Sequence, residues 1–263
     1  MVDGGVDWPC RVLRNYADTN LGCARRVSSG IAWAFEHVDE AVVLEDDCVP
    51  APSFFTFCGG MLERFRHDTR IMCVSGDNFQ PGPRGPFSYY FSKYPHCWGW
   101  ATWRRAWNHF DFDMTGWPEF RDRGGLASVC PDPAERTYWA ERFASVAAGR
   151  MDSWAYRWTY ACWSQSGMTV LPEVNLVSNI GFGPDATHTV TAASIEGRPT
   201  GVLGEIRHPR FVIEDRAADE YTFRTHFCPT RPVEPLWRKA LRLPSCIWRR
   251  FTASKAMDTQ PVR

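Results

Sequence analysis

The chain has no excess of either charge: across 263 residues, 30 Lys and Arg stand against 30 Asp and Glu. That balance gives no electrostatic footprint for nucleic acid, and no nucleic-acid partner is expected. No apolar run approaches the ~20 residues needed to span a bilayer. The ten cysteines include no C-x-x-C pair, so a zinc ribbon is unsupported. Several of them (Cys58, Cys73, Cys162) lie inside apolar runs, as buried free thiols do. Met1 to Pro9 is short, acidic and contains glycine, which is unlike a secretory signal. Internal repeats and low-complexity tracts are absent. These absences predict a reduced, cytoplasmic protein with one sizeable core and a tail.

What the chain does have is tryptophan, 13 in all, and a hydrophobic content of 44%. Most of these rings are expected in an aromatic core, although flat rings also suit the apolar face of a sugar. The stretch that stands out is Ala41-Val42-Val43-Leu44-Glu45-Asp46-Asp47-Cys48-Val49-Pro50. Its apolar start reads as a buried strand. Three adjacent carboxylates at the end of a strand repel one another unless something positive sits there. A divalent cation answers that need, because hard cations take carboxylate oxygens. The plainer reading is a solvated acidic turn.

Around it, residues 10–15 read as a strand, and Val27, Ile31, Phe35 and Val38 give a helix over roughly 23–38. Strand, helix and acidic strand then make a βαβ unit and imply a parallel sheet. Phe54 to Phe65 marks a second helix, with Ser53 as a plausible cap. Ile71 to Ser75 is the next strand, Phe87 to Phe91 another, and Met168 to Leu171 a third. Trp100, Trp103, Trp107 and Phe110 fall on one face of an expected helix. Further helices are expected over 134–148 and from about 153 to 166, with irregular chain over 111–133 and loop over 175–189. The tail 231–263 carries eight Arg or Lys against Glu234 and Asp258, interleaved with Leu236, Trp237, Leu241, Ile247, Trp248 and Phe251. Such a tail suits either peripheral contact with an anionic inner-membrane surface or a helix closing the core.

Several stretches in this order resemble one family: Asn20-Leu21-Gly22-Cys23, Val27-Ser28-Ser29-Gly30-Ile31, Leu44 to Pro50, Tyr94-Pro95-His96-Cys97-Trp98-Gly99-Trp100, Asp152-Ser153-Trp154 to Trp158, and Asn175 to Thr189. The family is the GT-A nucleotide-diphospho-sugar transferases, and within it the bacterial HlpA-like (hemolysin-like) glycosyltransferases. The resemblance covers about residues 10 to 190. It implies an α/β, Rossmann-like fold with a mostly parallel central sheet flanked by helices, here lacking the first strand and helix. The transferase domain is expected over 1–205, with a C-terminal extension over 206–263. It also implies a nucleotide-sugar donor, a glycan or lipid-linked acceptor, a role in building polysaccharide, and Mn²⁺ or Mg²⁺ as cofactor.

By a more distant likeness, to the eukaryotic enzyme that adds N-acetylglucosamine to start complex N-glycans, Asp47 would be the direct metal ligand. Asp46 would lie near the ribose and Glu45 beside the sugar-phosphate. The family pattern often has Asp directly after the Trp at 154; this chain has Ala155, which moves the candidate base to Asp152 or leaves none. The other use of Asp152 is as a helix cap. Arg25 and Arg26, at a helix start where phosphate meets backbone N–H groups, are candidates for the diphosphate; their alternative is a solvated helix face. Asp77 and Asn78 are candidates for the donor sugar, Trp98 and Trp100 for the acceptor platform, and His188 for a metal or phosphate contact. The rings suit the core equally well, and a lone His is more often structural.

The activity expected is metal-dependent transfer of a sugar to a hydroxyl, by likeness with inversion. A truncated or degenerate domain that binds glycan or a partner through its Trp-rich face is the non-enzymatic alternative. A sugar-phosphate nucleotidyltransferase is disfavoured, because Gly4-Gly5 is no Gly-rich phosphate loop.

Overall fold

The computed structural model describes residues 6–181 and 197–228, which excludes His188 and the basic tail. The chain divides into two units, Met1–Thr222 and Phe223–Arg263. The boundary expected at 205 is not seen: residues beyond it are tied into the first unit, as where Arg207 N–H donates to Ser88 Oγ and Asp219 accepts from Lys93 N–H. In the second unit the described residues form one π-helical turn, Phe223–Phe227.

The first unit is a mixed α/β layer structure. Its main sheet has five strands: β1 (Glu40–Val43), β3 (Ile71–Ser75), β4 (Tyr89–Ser92), β5 (Trp100–Trp103) and β6 (Met168–Pro172), in the order β1-β5-β3-β6-β4. Only β3 and β6 pair parallel; the other neighbours are antiparallel. The expected mostly parallel sheet is thereby corrected. The physical reason lies at the amino-terminal side. Residues 10–15 form no strand and are largely exposed, so no βαβ unit is completed there. Asn15 is engaged by the Arg26 side chain instead. As a result β1 is an edge strand, not the buried one its apolar run suggests; Val42 and the following Leu44 are 38% and 39% exposed.

A second, two-stranded sheet pairs β2 (Cys48–Pro50) with β7 (Val177–Asn179), antiparallel. It brings the chain after the acidic triplet against a segment about 130 residues later. The sequence reads that segment as loop, and the pairing makes it a strand.

The helices follow the apolar spacing closely: α1 (Gly22–His37), α2 (Pro52–Phe65), α6 (Pro133–Ala147) and α7 (Trp154–Ser164). Three short ones lie between, α3 (Arg104–Trp107), α4 (Trp117–Asp122) and α5 (Gly125–Val129), and α8 (Arg216–Thr222) ends the unit. Helix α2 starts at a proline after Ala51, so Ser53 is not its cap; its Oγ accepts from Leu203 N–H.

Strand β5 explains how the layers stack. Successive strand residues face opposite ways. Ala101 and Trp103 pack with α2, where the Trp103 indole donates to Leu62 O at 3.2 Å. Trp100 faces the other way, onto Trp154 and Trp158 of α7. The helix expected across Trp100 and Trp103 is therefore a strand leading into a four-residue helix.

Every described cysteine is a free thiol; Cys48, Cys58, Cys73, Cys130 and Cys162 are buried and Cys10 is exposed. Among the described residues no helix is long and apolar enough to cross a membrane.

Candidate functional site

The acidic triplet forms the turn between β1 and β2. Cys48 N–H donates to Glu45 O at 3.1 Å, and Ile180 N–H to Asp47 O at 2.9 Å, so the turn is held from inside and from β7. Asp46 points outward and is exposed. Among the described residues the Asp47 carboxylate receives only the weak Cys48 thiol, at 3.4 Å. Opposite it lies Gly181, where a Cβ would fall on the Asp47 carboxylate. A glycine there is what leaves Asp47 its position.

Glu45 is half-buried near the Trp154 indole, whose ring stacks on Trp100 at 5.5 Å. Burial, and then the neighbouring Asp47 charge, push the Glu45 carboxyl above the usual range; the Trp154 indole opposes them. Among the described residues no Lys, Arg or His forms an ion pair with any of the three acids.

Nor do three or more His, Cys, Asp or Glu among the described residues come together in a metal cage. A divalent ion here would take one carboxylate, Asp47, and complete its shell from oxygens of a ligand and water. Hard cations accept such sets.

Asp152 has a different place from the one expected. Its carboxylate accepts from Cys23 N–H at 3.0 Å and Ala24 N–H at 3.2 Å. It is a cap, but for α1, 129 residues away, and not for α7, which Ser153 caps. Both oxygens are engaged, so the role of general base is not supported by its geometry. The same contact corrects the expectation for phosphate: the anion position at the start of α1 is already taken by this carboxylate. Arg26 is bound to Asn15, and the Arg25 guanidinium lies 4.3 Å from the Phe112 ring centre. We expect Asp152→Ala to lower the unfolding free energy by about 1–2 kcal/mol, since two helix N–H groups lose their acceptor. Urea denaturation checks this, and an unchanged midpoint would remove the capping role.

Asp77 and Asn78 follow Gly76 at the end of β3, and both side chains are buried. Asn78 is a fastener. Its Nδ2 donates to Pro172 O and Glu173 O, and its Oδ1 accepts from Gln80 N–H, which leaves no free N–H for a donor sugar.

Asp77 is 1% exposed; Oδ2 accepts from Trp98 N–H at 3.0 Å, while Oδ1 has no partner among the described residues. Burial pushes this carboxyl well above its ordinary value. An acid whose folded pKa is raised lends stability below its unfolded pKa and loses it as pH climbs towards the folded value. The folded protein is thus expected to weaken from about pH 4 upward on account of Asp77. Asp77→Asn should flatten that slope, so that the variant loses less stability than the parent between pH 5 and pH 8. Denaturant melts at pH 5 and pH 8 would show it, and equal slopes in both proteins would contradict it.

Trp100 is fully buried among Trp107, Trp154 and Trp158, so it cannot be an acceptor platform. Trp98 is half-buried, packed against the core and 5.5 Å from the Phe79 ring, with part of its surface still open. His188 lies outside the described residues. The residues that sequence reasoning left without a role are Gly181, Trp154 beside Glu45, and Arg198. The pairing of β2 with β7 explains the first, and it has no local signal.

No known protein family and no curated protein matches this chain.

Proposed function

We propose that the chain is a metal-dependent glycosyltransferase of GT-A type, moving a sugar from a nucleoside-diphosphate donor to an acceptor hydroxyl. The observation that carries this reading is the acidic turn after β1: three adjacent carboxylates with no basic partner among the described residues, and an Asp47 carboxylate whose position depends on a glycine at 181. Three such charges favour a bound cation. When bound, the cation supplies positive charge to the departing nucleoside diphosphate. Asp47 holds that charge in place. Glu45 would offer an acceptor oxygen beside it, and Asp46, exposed on the turn, would be open to hydroxyls of the nucleotide. The order of motifs from Asn20 to Asn179, similar to that of the transferases, supports the same reading.

One observation favours the alternative of a glycan-binding module. The remaining candidate base, Asp152, is committed to α1, and Ala155 offers no carboxylate in its stead. The two readings part on turnover. Calorimetric titration with UDP, GDP and dTDP, each with Mn²⁺ and with EDTA, tests the donor site. Binding of one nucleotide that requires Mn²⁺ is the expected result. Absence of binding by all three to the folded protein would sink the transferase reading. Mn²⁺-dependent binding without hydrolysis or transfer of any nucleotide-sugar would leave the binding module.

A further inference from the structure

A cavity of about 400 Å³ opens between the loop after β3, the turn after β6 and the returning segment 198–201. No residue of the acidic turn lines it. Its walls are cross-tied. Asn78 N–H donates to Asn175 Oδ1 at 3.1 Å, Asn78 Nδ2 reaches Glu173 O at 2.7 Å, and Gly201 N–H reaches Asn175 O at 2.7 Å. The shape is therefore preformed, as small-molecule sites usually are, and its volume lies in their range.

Two kinds of surface meet in it. Pro81, Pro83, Val174 and Pro199 give aliphatic faces, and Arg198 and Glu173 give the charged groups. Arg198 spends one nitrogen on Asn78 O, at 2.6 Å, and its guanidinium lies 5.6 Å from the Phe79 ring centre. Its other N–H groups have no further hydrogen-bond partner among the described residues. Glu173 Oε1 accepts from Gly85 N–H at 3.2 Å and from Arg84 N–H, which leaves Oε2.

The charge count decides between ligand classes. Arg198 and Glu173 put one charge of each sign on the lining. No positive charge is left over for an anion. A neutral polyol needs no surplus. Its hydroxyls accept from Arg198 and donate to Glu173, while the C–H face of a sugar ring lies on proline.

We propose that this cavity is a subsite for a neutral saccharide, read by Arg198 and Glu173. Its role as the acceptor subsite rests on the transferase reading; the binding itself does not.

The test is titration of the full chain with maltose, lactose and N,N′-diacetylchitobiose, with glucuronate and inorganic phosphate as anionic probes. At least one neutral disaccharide binds, and Arg198→Ala weakens it about tenfold, the worth of one charge-assisted hydrogen bond. Thr200→Trp fills the cavity from an exposed position, leaves the fold intact and weakens binding by a similar factor. UDP binding is unchanged in both variants. The assignment is overturned if no neutral disaccharide binds, if both folded variants bind like the parent, or if phosphate or glucuronate binds more tightly than the sugars. Arg198-dependent sugar binding without any nucleotide binding would remove the transferase reading alone. Nucleotide binding without sugar binding would remove the subsite alone.

Discussion

Asp47→Ala is expected to weaken Mn²⁺-dependent nucleotide binding by at least ~100-fold. Loss of a group that merely orients a metal ligand costs up to about that factor, and loss of a direct ligand costs no less. The turn itself should survive. Its frame is made by backbone bonds, Cys48 N–H to Glu45 O and Ile180 N–H to Asp47 O, and an alanine keeps both. Among the described residues the side chain gives up only its weak hydrogen bond from the Cys48 thiol. Calorimetry with and without Mn²⁺, beside a circular-dichroism melt, separates loss of the site from loss of the fold. Gly181→Ala should act in the same direction, because its methyl group would displace the carboxylate. Unaltered Mn²⁺-dependent binding by a folded Asp47→Ala protein would place the cation elsewhere and withdraw the role given to the acidic turn.

The largest effect on stability is expected at Lys93. Its Nζ lies 2.8 Å from Glu135 Oε1 and 3.3 Å from Val129 O, with both charged side chains almost fully buried. Tyr94 donates to the same carboxylate. Lys93→Met takes away the cation and strands the buried Glu135 charge, at a cost of about 3–5 kcal/mol. The double variant Lys93→Met with Glu135→Leu removes both charges and should recover most of the loss, since a buried pair replaced by apolar groups is often close to neutral. Urea midpoints for the two single variants and the double one complete the cycle. Additive losses would mean that the two groups do not interact as their geometry indicates.

The helices were legible in the sequence because their burial is one-sided and local. Phe54, Phe57, Met61 and Phe65 recur at helical spacing and all pack inward from α2. The tryptophans of β5 misled for the same reason. Trp100, Trp103 and Trp107 also fall three and four apart, yet Trp100 and Trp103 serve opposite faces of a sheet. Spacing alone could not reveal that two layers of aromatic core lie there.

The acidic turn was visible as chemistry, and its surroundings were not. Asp152 reaches α1 across 129 residues, Asn78 fastens the turn after β6, and Gly181 faces Asp47 through a strand pair too short to announce itself. Each of these depends on which distant segment arrives, and side-chain type carries no record of that. The edge position of β1 is another such case. Its residues carry the strand signal, and only the absence of a ladder partner on one side, among the described residues, explains the exposure of Val42.

The unpaired sulfurs give the folded chain a built-in clock. Alkylating reagents attack the thiolate, and burial pushes the Cys73 thiol up to about 12 and raises Cys58 and Cys162 likewise. While the core stays shut these groups are silent, whereas Cys10 at the surface is open to reagent at once. Slow labelling of the α2, β3 and α7 sulfurs, resolved by peptide, therefore times how often each layer opens.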